Sequence, residues 1–134
     1  MNDAVFLDTV GLLALWNRRD QWHAAARDAF APLVKSRRRL ITTSLIMLEC
    51  GNAASRQPFR DALLALRKEL LAGGDLLEPA PEDFEEAWTA YALGEAAHAG
   101  IVDHVSFCIM RREGLTDAFS NDHHFRAAGF VTLF

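Results

Sequence analysis

The chain has 134 residues, 51% hydrophobic and 10% aromatic, which suits one compact core and excludes a disordered polymer. Eighteen acidic residues face fourteen basic ones, a net charge of −4. That excludes a coat of positive charge for nucleic acid but suits a site that gathers carboxylates.

No apolar run approaches the roughly 20 residues of a membrane span, and the N-terminus lacks the basic opening of a signal peptide. Cys50 and Cys108 lie in apolar segments without metal-ligand spacing, so buried thiols in a reducing cytoplasm are expected. In chain order, residues 4–7 form an apolar run closed by Asp8 and predict a buried strand. Residues 9–16 and 21–34 read as helices, followed by Arg37-Arg38-Arg39; residues 40–43 read as a second strand. Ser44 is a suitable N-cap for an apolar helix running to about Ala54. Pro58 opens a helix over 59–71, which Gly73-Gly74 stops, and 75–78 predicts a short strand. Pro81 opens a helix to about Ala97, Gly100 separates it from another over 102–112, and Gly114 ends that one. Residues 115–120 predict a strand, 122–127 a short helix and 130–133 a last strand. Alternating strands and helices predict an α/β fold: a three-layer α/β/α sandwich with a mainly parallel sheet, in one domain spanning 1–134.

Four carboxylates stand out. Asp8 and Asp122 each follow a predicted strand and open a helix, where a helix cap is the plain alternative. Asp103 lies in the first turn of a helix that is apolar nearly all round, where complementing the helix dipole is the alternative. Glu49 interrupts Leu45-Ile46-Met47-Leu48 and shares a helical face with Leu45 and Ile46, so its charge there calls for a partner or an ion, unless it is a surface glutamate at the edge of the stripe. Asp117 competes with Asp122, but lies within the strand instead of at its end. In a parallel sheet the strand-to-helix junctions fall along one edge, where ligands bind. Carboxylates gathered there repel unless a divalent cation neutralises them, and an oxygen-only donor set favours magnesium or manganese over zinc.

Histidine is the rival source of ligands. His123 and His124 follow Asp122 and His104 follows Asp103, but neighbours on a helix diverge by about 100° and should not face one ion. His98, His104, His123 and His124 are expected at the surface or in loops, and His23 beside the second helix. No phosphate-binding glycine loop, dinucleotide fingerprint or nucleophile elbow occurs. Arg37 to Arg39, Arg111, Arg112 and Arg126 are candidate phosphate contacts.

Several stretches together resemble the PIN-domain ribonucleases, most closely the VapC-type toxins of bacterial toxin–antitoxin pairs. They are Val5-Phe6-Leu7-Asp8-Thr9, then Asp20-x-x-His23-x-x-Ala26, and Thr42-Thr43-Ser44 leading to Glu49. The block from Asp103-His104-Val105-Ser106-Phe107 through Arg111-Arg112-Glu113-Gly114 to Asn121-Asp122-His123-His124-Phe125 and Gly129-Phe130 is the most specific. The resemblance implies an α/β/α sandwich in which Asp8, Glu49, Asp103 and Asp122 are the acids that bind one or two divalent ions, Mg2+ or Mn2+. Thr9 and Ser44 would be supporting hydroxyls. It also implies cleavage of RNA to 5′-phosphate and 3′-hydroxyl ends, a small protein antitoxin as partner, and a homodimer. A PIN-like domain that binds RNA or protein without cutting, or a housekeeping nuclease, is the alternative. A phosphoacceptor receiver domain would require a late lysine, and the last lysine is Lys68.

Overall fold

The computed structural model describes residues 3–55 and 58–134. In chain order the elements are β1 (Val5–Leu7), α1 (Thr9–Trp16), α2 (His23–Lys35), β2 (Leu40–Thr43), α3 (Ser44–Ala54), α4 (Arg60–Gly73), β3 (Leu76–Leu77), α5 (Pro81–Ala92), α6 (Glu95–His98), α7 (Ile101–Glu113), β4 (Asp117–Phe119), α8 (His123–Ala127) and β5 (Val131–Thr132). The strands form one five-stranded sheet in the order β3-β2-β1-β4-β5. Every pairing is parallel: Val5 lies opposite Leu40 on one side and Asp117 on the other, and Thr42 opposite Leu76. Helices flank the sheet, as the alternation of elements predicts. No helix among the described residues is long and apolar enough to cross a membrane.

β1 is the central strand, and Val5, Phe6 and Leu7 are all fully buried. A strand covered on both faces cannot alternate polar with apolar residues, which explains the unbroken apolar run. Its neighbours are β2, formed next in the chain, and β4, formed much later. The chain therefore reverses direction across the sheet between β1 and β4, and the carboxyl ends of these two strands make the crevice where open α/β sheets bind ligands. The adjoining core holds Phe6, Phe107, Phe119 and Phe125, with the Phe107 and Phe125 rings edge to face at 5.0 Å. Such pairs add modestly to plain area burial.

Close contact presses α1 onto the end of β4. A Cβ on Gly11 would stand 2.1 Å from the Phe119 carbonyl oxygen, so only glycine fits. The far end of α1 is tied by His23, whose Nδ1 lies 2.9 Å from the Ala14 carbonyl. His23 opens α2, and its backbone amide donates to the Asp20 carbonyl while the Asp20 side chain accepts from the Trp22 amide at 2.8 Å. The Asp20-x-x-His23-x-x-Ala26 pattern is thus a device for turning from α1 into α2, with Ala26 fully buried behind it.

Two boundaries differ from expectation. Thr43, not Ser44, caps α3: its hydroxyl accepts from the Ile46 amide, and Ser44 is already helical and donates to Glu78 at 2.7 Å. The helix opened by Pro81 ends at Ala92, not near Ala97. Gly94 is left-handed, and so are Ala96, Ala97 and His98, with φ between 53° and 59°. Nothing in helix propensity foretells that turn, because alanine favours the right-handed helix. Tertiary packing imposes it, with Ala96 against the core and Ala99 buried at its exit. The turn delivers Gly100 as the N-cap of α7, whose first turn carries Asp103.

Candidate metal centre

All four predicted acids stand at the carboxyl edge of β1 and β4 or on helices that begin beside it. Asp8 leaves β1 directly, and its carboxylate is 2% exposed. Although it occupies the N-cap position of α1, its side chain makes no capping bond, so the plain alternative of a helix cap fails here. The Ser120 hydroxyl, from the end of β4, donates to its Oδ2 at 2.8 Å. Burial pushes the Asp8 carboxyl up to about 7; the Ser120 bond opposes that shift, while the charges of Asp103 and Asp122 add to it.

Asp103 is half-buried in the first turn of α7, and burial followed by the charge of Asp122 pushes it up to about 6. His124 lowers it and Glu49 raises it. These mutual effects report that the acids share one region of space. Asp122 does cap α8, its Oδ1 accepting from the His124 amide at 2.9 Å. Here the plain reading holds, and the same oxygen also meets His124 Nδ1 at 2.7 Å. Capping uses one carboxylate oxygen, so it does not preclude a second role for Asp122.

Glu49 takes the alternative of a surface glutamate at the edge of the stripe. It is exposed, so no buried charge demands compensation. The Thr9 hydroxyl donates to its Oε1 at 2.6 Å, linking α3 to the first residue of α1. Thr9 thus meets an acid of the group, whereas the Ser44 hydroxyl is engaged by Glu78.

Among the histidines, His98 and His123 are exposed as expected. His104 is not a surface residue: it is 3% exposed, wedged edge-on between Tyr91 and Phe107, and burial holds its imidazole below its usual value. His123 and His124 also depart from helical divergence. Their rings stack at 4.0 Å, and Asp122, His123 and His124 each bring a ligand atom within 4.8 Å of the others. The reason is the short helix: both side chains fold back over the residue that caps it instead of radiating from a full turn.

Sequence reasoning missed Ser120. Its hydroxyl also accepts from the Asp122 amide at 3.0 Å, so one side chain ties Asp8 to Asp122. A hydroxyl two residues before a capping aspartate, at a strand's end, was the available signal. Asp117 lies at the opposite end of β4, paired with Arg38 at 3.0 Å. The arginines proposed for phosphate are mostly placed elsewhere. Arg38 and Arg39, paired with Asp117 and Asp75, precede β2 at the amino edge of the sheet. Arg112 pairs with Asp83, and Arg111 donates to the Ala128 carbonyl and covers the Phe130 ring. Cys50 is buried and Cys108 half-buried, both as free thiols.

An acidic crevice at the switch point of a small parallel sheet defines a class, and the family comparison agrees. The PIN domain model matches residues 5–131, and the chain belongs to that family. Among curated proteins it is similar to the 23S rRNA-specific endonuclease VapC20 of Mycobacterium tuberculosis, in strains CDC 1551 / Oshkosh and ATCC 25618 / H37Rv. Each is 31% identical over 135 residues, covering 96% of this chain and 97% of the relative. Among solved structures it matches the crystal structure of Mycobacterium tuberculosis VapC20, a Sarcin-Ricin loop cleaving toxin. The TM-score is 0.77 at 27% identity, over 95% of this chain and 96% of that one.

Proposed function

We propose that this chain is a metal-dependent endoribonuclease that hydrolyses RNA phosphodiester bonds as the toxin of a type II toxin–antitoxin pair, with residues 1–134 forming one nuclease domain. The observation that carries the reading is Asp8: a buried carboxylate at the switch point, facing the charges of Asp103 and Asp122. Three neutral carboxyls would waste the site, and three bare anions repel, so the group suits a divalent cation. All-oxygen donors favour Mg2+ or Mn2+, with Asp8, Glu49, Asp103 and Asp122 as the candidate holders and Asp122 acting directly or through a water.

When bound there, such an ion supplies a water of lowered pKa and positive charge opposite the phosphoryl oxygens. The chain's own residues prepare the place. The Ser120 hydroxyl favours the ionised form of Asp8 against burial and ties it to Asp122. Thr9 orients Glu49, whose exposure leaves it open to solvent and substrate. The likeness to a 23S rRNA-specific endonuclease supports ribosomal RNA as the first substrate to try. A protein antitoxin, a homodimer and a cytoplasmic location belong to the same reading.

The test is Asp103→Asn in the purified protein, assayed on RNA with Mg2+, with EDTA and with a circular-dichroism check of folding. Cleavage should fall at least about a hundredfold while the fold persists, as expected when one charged ligand of a metal is neutralised. Wild-type cleavage by the folded variant, or cleavage indifferent to EDTA, would sink the reading.

A further inference from the structure

The acids account for cutting but not for grip, and a chain of net charge −4 needs somewhere to hold a polyanion. Two adjoining concavities meet at the end of α1. One, of about 640 Å³, is lined by Leu15, Trp16, Arg18, His23 and Arg27. The other, of about 530 Å³, is lined by Trp16, Asn17, Arg18, Arg19, Pro58 and Phe59. They share Trp16 and Arg18, and among the described residues neither is lined by an acidic one.

Another concavity bearing two arginines, about 770 Å³ between α5 and α7, is the contrast: beside Arg111 and Arg112 it carries Glu82, Asp83, Glu86 and Glu95. Arg18 and Arg19 are exposed and make no ion pair among the described residues. Arg27 has only Asp28, at 3.5 Å with both side chains largely in water, a pairing worth little. Asp20, the remaining acid of the turn, accepts from the Trp22 amide.

We infer that these concavities are an RNA-binding surface separate from the acidic crevice, which seats single-stranded RNA flanking the cut. Guanidinium forks suit phosphate oxygens, and aromatic faces beside them suit stacked bases. Trp16 packs against Phe59 at 6.2 Å on the shared wall, and Trp22, 48% exposed, stands at the start of α2. α1 joins the two places. Its first residue, Thr9, bonds Glu49, and its eight residues rise about 12 Å to Trp16. Strand and site are thus separated by one short helix. An acidic protein segment would also answer the charge, but Trp16 on the shared wall and the exposed Trp22, bracketing Arg18 and Arg19 in the chain, favour a nucleic acid.

This inference rests on the nuclease reading and is tested apart from it. Binding of a labelled short single-stranded RNA to the full chain is followed by fluorescence anisotropy across a salt series in EDTA. Arg18→Gln/Arg19→Gln is compared with wild type and with Lys35→Gln, exposed at the far end of α2, as control. The double variant should bind about tenfold more weakly, and its log Kd against log salt slope should fall by about 1.4, two phosphate contacts at about 0.7 each. Its KM for RNA should rise with kcat unchanged, and Lys35→Gln should match wild type. If the double variant keeps wild-type affinity and slope while wild type binds and cuts RNA, the surface is not an RNA site and the nuclease reading stands. If it keeps RNA affinity but loses a co-expressed protein partner, the surface belongs to that partner. If wild type neither binds nor cuts RNA, both readings fail.

Discussion

Ser120 shows how one hydroxyl sets the electrostatics of this crevice. It is fully buried, donates to the Asp8 carboxylate and accepts from the Asp122 amide. Its bond is the main influence holding the Asp8 pKa down against burial. Ser120→Ala should therefore raise that pKa further and leave less of the ionised form near neutrality. We expect RNA cleavage at pH 7 to fall about 10- to 100-fold, the usual range for a residue that orients a metal ligand. Raising the pH should restore part of the loss, and Mg2+ titrations of cleavage rate against pH would reveal it. An unchanged pH profile would remove Ser120 from the site. Glu49 teaches the opposite lesson. The helical period puts it on the face of Leu45 and Ile46, but that position is exposed, and its carboxylate is met by the Thr9 hydroxyl.

Among the elements, the turn around α6 is the least expected. Three successive non-glycine residues, Ala96 to His98, adopt left-handed backbone, a conformation that costs roughly 1–2 kcal/mol per residue for an L side chain. Ala97 is exposed, so its methyl supports no packing. Ala97→Gly should raise stability by about 1 kcal/mol, part of the relief being lost to the freer unfolded chain. Denaturant unfolding would measure this, and a lower midpoint would show that the turn is not strained. Most other elements were legible because strong local signals agree: a continuous apolar run for β1, β-branched residues for β2, Gly74 and Gly114 in left-handed backbone after α4 and α7. Where two hydroxyl residues adjoin, as Thr43 and Ser44 do, spacing alone does not choose the cap. The choice follows from which residue is still extended, and Thr43 pairs with Leu77 in the sheet.

For the molecule as a whole, the two raised carboxyl groups link folding to pH and to metal. Asp8 near 7 and Asp103 near 6 both lie above the ordinary value of 3.8. Below about pH 4 they are protonated in folded and unfolded states alike and contribute nothing. Between about pH 4 and 7 the folded state keeps protons that the unfolded chain has released, so unfolding free energy falls as pH rises. Above that window the full penalty stands, on the order of a few kcal/mol. The metal-free protein should thus melt at a lower temperature at pH 8 than at pH 5, and Mg2+ should raise Tm more at pH 8, where no proton must be displaced. Calorimetry with EDTA and with Mg2+ tests both, and an equal Mg2+ effect at the two pH values would contradict the linkage. The order of the strands, most of the helices, the apolar centre and the candidate acids are written in local periodicity and in family-like motifs, which act over a few residues. Sheet order is not local: it decided that β1 and β4 adjoin, that Ser120 reaches Asp8 across 112 positions of sequence, and that Arg38 lies at the opposite edge. The candidate acids come within electrostatic reach of one another only because the chain reverses across the sheet, and burial there sets Asp8, not the exposed Glu49, apart from the rest.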